Sequence, residues 1–108
     1  MAASIELTSQ NNGQSVKTEL GQHLVLHLAE NPTTGYRWQI IHSGLLTVTS
    51  NEYSAGAKDD HQAGAGGTRR IEFMANQKGT GGMDIQCRRD WEAAGQEIDR
   101  FRMTVDVR

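Results

Sequence analysis

Hydrophobic and polar positions alternate along this chain with a period of two, and no stretch sustains a period of 3.6. In His23-Leu24-Val25-Leu26-His27-Leu28 the leucines share one face. Tyr36, Trp38 and Ile40 share another, as do Met83, Ile85 and Cys87, and then Phe101, Met103, Val105 and Val107. Successive side chains of a strand point to opposite faces, so each run predicts a half-buried strand. Ile5 to Thr8, Ser15 to Leu20, Leu46 to Tyr53 and Thr68 to Ala75 carry weaker versions of the pattern. Asn12-Gly13 predicts a hairpin between the first two of these, because a type I′ turn needs positive φ at both central positions. About eight short strands, punctuated by glycine and polar turns, predict an all-β fold, an antiparallel sandwich or barrel. Trp91 to Ile98 fits the pattern least well and leaves room for a helical turn.

Composition narrows the picture. A chain of 108 residues is long enough for one core and too short for two, so residues 1–108 are expected to form a single domain. The 12 glycines imply several tight turns. With 11 basic residues against 13 acidic ones the net charge is −2, and no global basic field draws the chain to nucleic acid or to a membrane. Arg37, Arg69, Arg70, Arg88, Arg89 and Arg100 gather towards one end, where Asp59, Asp60, Asp90, Glu92, Glu97 and Asp99 offset them. Cys87 is the single cysteine, which excludes an intramolecular disulfide. No run approaches the ~18 apolar residues of a membrane span, and MAASIELTSQ lacks the basic and apolar regions of a secretory signal. Localisation stays open between the cytoplasm and export after removal of a signal.

The strand count places the loops. If each strand crosses the sandwich once, successive connections alternate between its two ends. Asn31 to Gly35, the loop from Ser54 to Gly67, and the loop opening Arg89-Asp90-Trp91 then share one end. The chain carries GxGG twice, at Gly64-Ala65-Gly66-Gly67 and at Gly79-Thr80-Gly81-Gly82. The second copy falls at the opposite end, roughly 20 Å away at about 3.3 Å per residue over six residues, and is expected to be a turn.

The order NPTTGYRW (Asn31 to Trp38), GAGGT (Gly64 to Thr68) and then Arg89-x-Trp91 after one further strand resembles the chagasin family of protein inhibitors of papain-like cysteine proteases, whose motifs are NPTTG, GxGG and RPW. The first two motifs match fully; Asp90 stands where the family has proline, which removes a φ constraint and adds a negative charge. The resemblance spans nearly the whole chain. It implies an immunoglobulin-like fold whose three loops form a wedge that occludes the protease cleft reversibly and competitively. No catalysis, cofactor or metal is implied, and a monomer is expected.

By this resemblance Asn31, Pro32, Thr33, Thr34 and Gly35 would occupy the catalytic centre, with Thr33 nearest the protease cysteine and histidine. A proline with fixed φ and two threonines stiff at χ1 leave that loop few conformations, so little entropy is lost on binding. Without the other motifs the same residues would read as an ordinary turn. Pro32 also rules out glycosylation of Asn31. Gly64, Ala65, Gly66 and Gly67 lack bulk, so their backbone can lie against a partner backbone beside the cleft; the plain alternative is a flexible glycine loop. A phosphate cradle is disfavoured, since no Gly-Lys-Ser/Thr follows. Trp91 would anchor on the protease's primed side with Arg89 giving polar contacts, or else fold back onto the domain. Tyr36 and Trp38 are expected to hold the base of the first loop against the core.

Two other signals look catalytic. His23 and His27 have the spacing of paired zinc ligands on a helix, but in a strand they stand about 13 Å apart, too far for one metal. Cys87 among four histidines suggests a nucleophile, yet it shares a strand face with Met83 and Ile85 and reads as a buried structural thiol. The competing functional reading is an immunoglobulin-like adhesion or protein-interaction module that uses the same loops.

Overall fold

A computed structural model describes residues 4–31, 35–54, 67–89, 91 and 98–108. The strands are β1 (Ile5–Thr8), β2 (Ser15–Thr18), β3 (His23–Glu30), β4 (Tyr36–His42), β5 (Leu46–Ser54), β6 (Gly67–Ala75), β7 (Gly79–Arg89) and β8 (Asp99–Val107), with one 3-10 turn at Ser9–Asn11. They form two four-stranded sheets in the orders β1-β3-β6-β5 and β2-β8-β7-β4. This is the expected immunoglobulin-like sandwich of eight strands. All the strand runs predicted by alternation are present, several of them longer than the hydrophobic pattern marks.

The sheets face each other through the alternating apolar positions. Leu24, Leu26 and Leu28 of β3 and Ile71, Phe73 and Ala75 of β6 meet Trp38, Met83, Ile85, Cys87, Phe101, Met103 and Val105 of the other sheet, all buried. Full burial of one such side chain contributes roughly 1.5–3 kcal/mol before the cost of ordering the chain. Most outward positions between them are polar or charged, among them His27, Glu72, Asp84, Arg102 and Thr104, as a sheet with one wet face requires; Val25 and Met74 are the apolar exceptions, and Val25 is itself buried.

Pairing is antiparallel for β3–β6, β5–β6, β4–β7 and β7–β8, but β1 pairs with β3 and β2 with β8 in parallel. The expected hairpin between β1 and β2 therefore does not form, since the two strands lie in different sheets. Asn12 has φ −57 and ψ 129 and Gly13 has φ +82, the geometry of a type II turn, closed by the Gln14 N–H donating to the Asn11 carbonyl at 3.0 Å. The Asn12 side chain binds β8, accepting from the Arg102 N–H at 2.8 Å and donating to the Arg100 carbonyl at 3.0 Å. Asn-Gly here steers the chain from one sheet to the other.

The cross-strand register fixes which loops share an end. Glu30 opposes Gly67, Ser54 opposes Thr68, Tyr36 opposes Arg89 and Cys87 opposes Asp99. The three motif segments therefore leave the same end. The other end holds the turn after His42 and the connection from β6 to β7. Gly79 to Gly82 does lie there, but as the first residues of β7, paired with Val107 to Thr104, rather than as a turn. The bare α-carbons of Gly44 and Gly81 let the Ser43–Leu45 turn sit directly on the strand: a Cβ on Gly44 would meet the Gly82 carbonyl oxygen at 2.5 Å, and one on Gly81 would lie 3.1 Å from Leu45 Cγ.

Candidate functional site

Of the residues expected to meet a protease, Asn31, Gly35, Gly67, Arg89 and Trp91 are described, and they cluster at the loop end of the sandwich. Pro32, Thr33, Thr34, Gly64, Ala65, Gly66 and Asp90 lie outside the described residues. So do residues 92–97, where a helical turn had room to form.

The first loop crosses from β3 in one sheet to β4 in the other, and both of its stems are tied to one carboxylate. The alternation that buries Leu24, Leu26 and Leu28 continues to Glu30, whose side chain is only 1% exposed. Its Oε1 accepts from the Trp38 backbone N–H at 2.8 Å and from Arg69 Nε at 3.2 Å, while Oε2 accepts from Arg69 Nη2 at 2.7 Å. The Trp38 indole N–H adds a bond to the Ala29 carbonyl at 2.8 Å. Trp38 thus holds the base of the loop, as its place in the strand pattern suggested.

Arg69 performs the matching task for the second loop. Its Nη1 donates to Asn51 Oδ1 at 3.1 Å, and its guanidinium carbon lies 5.8 Å from the Tyr53 ring centroid. Asn51 and Tyr53 belong to β5, which feeds that loop, and Arg69 to β6, which receives it.

The third segment closes onto the first. Gly35, with φ +82, presents a bare α-carbon to Trp91: a Cβ there would lie 3.4 Å from the indole Cη2 and 3.8 Å from Arg89 Cγ. The Arg89 guanidinium carbon sits 4.4 Å from the Tyr36 ring centroid and 5.7 Å from that of Trp91. Cation–π contacts of this kind contribute about 0.5–1 kcal/mol each where exposed. Trp91 remains 74% exposed. It rests an edge on Gly35 and presents most of its area outward, rather than folding into the domain.

Three of the arginines of this end pair with carboxylates on the strands. Arg69 pairs with Glu30, Arg70 with Glu72 and Arg100 with Asp84 in a two-bonded fork. Among the expected counter-charges only Asp99 is described, and it accepts from the Arg100 backbone N–H. The two histidines with zinc-like spacing engage different strands, His23 with Glu72 at 2.9 Å and His27 with Glu6 at 2.7 Å. Cys87 lies in the core, where burial, followed by the nearby Glu30 and Asp99 charges, pushes its thiol up to about 11. A thiol held protonated at neutral pH is a poor nucleophile.

A sandwich whose three loop stems are tied together at one end, with its one thiol silenced, has the build of a binding protein. Comparison with known proteins gives the class. The family model described as Chagasin family peptidase inhibitor I42 matches residues 17–105, and the chain belongs to that family. It is accordingly an inhibitor and not an enzyme. Amoebiasin-1 of Entamoeba histolytica is 33% identical over 104 residues, covering 95% of this chain and 99% of that protein. Chagasin of Trypanosoma cruzi is 25% identical over 103 residues, covering 89% and 91%. In fold, the chain matches the crystal structure of a cysteine protease inhibitor from Entamoeba histolytica with a TM-score of 0.87 at 20% identity, over 98% and 96% of the two chains.

Proposed function

We propose that residues 1–108 act as one inhibitor domain that reversibly and competitively blocks papain-like cysteine proteases, by inserting the loops of Asn31 to Gly35, Gly64 to Gly67 and Arg89 to Trp91 into the active-site cleft. The observation that carries this reading is convergence: three segments distant in sequence leave one end of the sandwich, and their stems are joined by Glu30, Arg69, Arg89 and Tyr36. A wedge whose stems are already fixed loses little conformational entropy on docking. Family membership disfavours the adhesion reading of the same loops. An interface of roughly 800 Å² on each partner suits a complex of this class.

The test is a titration of the protein into papain with a fluorogenic peptide substrate. Competitive, fully reversible inhibition at sub-micromolar concentration is expected. Undiminished protease activity at micromolar inhibitor would overturn the proposal.

A further inference from the structure

The Glu30–Arg69 pair sits at the inner-face position where each strand's apolar row runs out. Leu24, Leu26 and Leu28 precede Glu30 on β3, and Ala75, Phe73 and Ile71 lead up to Arg69 on β6. An apolar pair would fill those positions with no desolvation cost, and exchange of buried ion pairs for apolar residues is often neutral or stabilising. Stability alone does not account for the charges. What they add is direction: a forked guanidinium and a carboxylate fix angles as well as contact.

The directions matter because of where the bonds go. The carboxylate binds β3 and β4, the two stems of the first loop, through its own backbone and the Trp38 N–H. The guanidinium binds β5 and β6, the two stems of the second, through Asn51 and its own backbone. One ion pair therefore joins four strand ends belonging to both sheets, with side-chain exposures of 1% and 16%.

We infer that Glu30 and Arg69 are positioning residues, which set the spacing between the first and second loops so that both enter the protease cleft together. The inference rests on the inhibitory reading above. Neither residue is placed at the protease surface; each acts through the loop it holds.

The experiment compares the wild type with Glu30→Gln and with the double variant Glu30→Gln/Arg69→Met, in which both charges are gone and the Trp38 N–H keeps an acceptor. Thermal unfolding reports the fold, papain inhibition reports the site, and amide exchange at Gly35 and Gly67, with Val105 as reference, reports loop order without any protease. The double variant is expected to stay folded, to inhibit papain at least tenfold more weakly through faster dissociation, and to exchange faster at Gly35 and Gly67 but not at Val105. Wild-type inhibition by the folded double variant would overturn the inference. If the double variant does not fold, Glu30→Gln decides by the same readouts. If the wild type itself leaves papain untouched, the inhibitory reading falls, and the exchange data alone support or overturn the positioning role.

Discussion

Arg89 lies across the face of Tyr36, 4.4 Å from the ring centroid to the guanidinium carbon, and the two residues oppose each other in the β4–β7 ladder. Tyr36 ends the first loop and Arg89 begins the third. Their stack makes the two loops one unit, with Trp91 resting on Gly35 at its edge. Proximity across an antiparallel ladder thus supplies what sequence separation does not: residues 53 positions apart form one surface.

Trp91→Ala is expected to separate binding from folding. The indole is 74% exposed, so its removal costs the core almost nothing, and stability should stay within about 0.5 kcal/mol of wild type. If it serves as the proposed aromatic anchor, its loss should cost about 2 kcal/mol of binding or more, a ~30-fold rise in the inhibition constant for papain. Thermal denaturation and inhibitor titration check the two halves. An unchanged inhibition constant would remove Trp91 from the interface.

Replacing Thr33 and Thr34 by glutamate and lysine should weaken inhibition and leave the far-ultraviolet spectrum and unfolding midpoint as they are. The substitutions alter a presented loop whose anchors, Glu30 and Trp38, stay in place. Inhibition indistinguishable from wild type would sink the assignment of the first motif to the protease's catalytic centre.

The strand faces were legible because period-two alternation is unbroken from Phe101 to Val107, and because Leu24, Leu26 and Leu28 keep one face despite the buried Val25 among them. The shared end of the motif loops was legible too, since it needs only the parity of the strand count. Pairing partners were not: nothing in the side chains of Ile5 to Thr8 says that they lie parallel to β3, and Asn-Gly serves a type II turn as readily as a hairpin. The Glu30–Arg69 junction is missed for a different reason. A charged residue ordinarily ends a buried face, so a reading by hydrophobicity stops at Leu28, while strict extension of the alternation by two residues points Glu30 inward. Arg69, two residues before Ile71, follows the same rule on β6, yet by charge alone it groups with the surface arginines.

Cys87 should behave as a masked thiol. Its folded pKa of about 11 lies above the ordinary value of 9.0, chiefly through burial. Between those two pH values the unfolded chain has released the thiol proton and the folded chain has kept it, so stability falls as pH rises from 9.0 towards 11. A Cys87→Ala variant should lack that part of the alkaline decline. At pH 8 a disulfide reagent should label the native protein slowly and the guanidinium-unfolded protein at once; equal rates would contradict the burial of this group.

Gly44, at the end remote from the site, and Gly13, in the turn beside Arg102 of β8, offer a paired test of what holds the fold together. Both have positive φ, +62 and +82, so an alanine at either is strained by about 1–3 kcal/mol. At Gly13 the new methyl would meet nothing within 4 Å, and the conformational cost is the whole cost. At Gly44 it would meet the Gly82 carbonyl oxygen at 2.5 Å, a backbone atom of β7 that cannot turn aside. Gly44→Ala should therefore destabilise the fold clearly more than Gly13→Ala, as measured by chemical denaturation. The contact lies at the far end of β7 from Arg89, so the folded fraction of both variants should inhibit papain like the wild type. A Gly44→Ala protein that is as stable as Gly13→Ala would show that the Ser43–Leu45 turn can lift off β7, and that the close approach to Gly82 does not hold that end of the sandwich together.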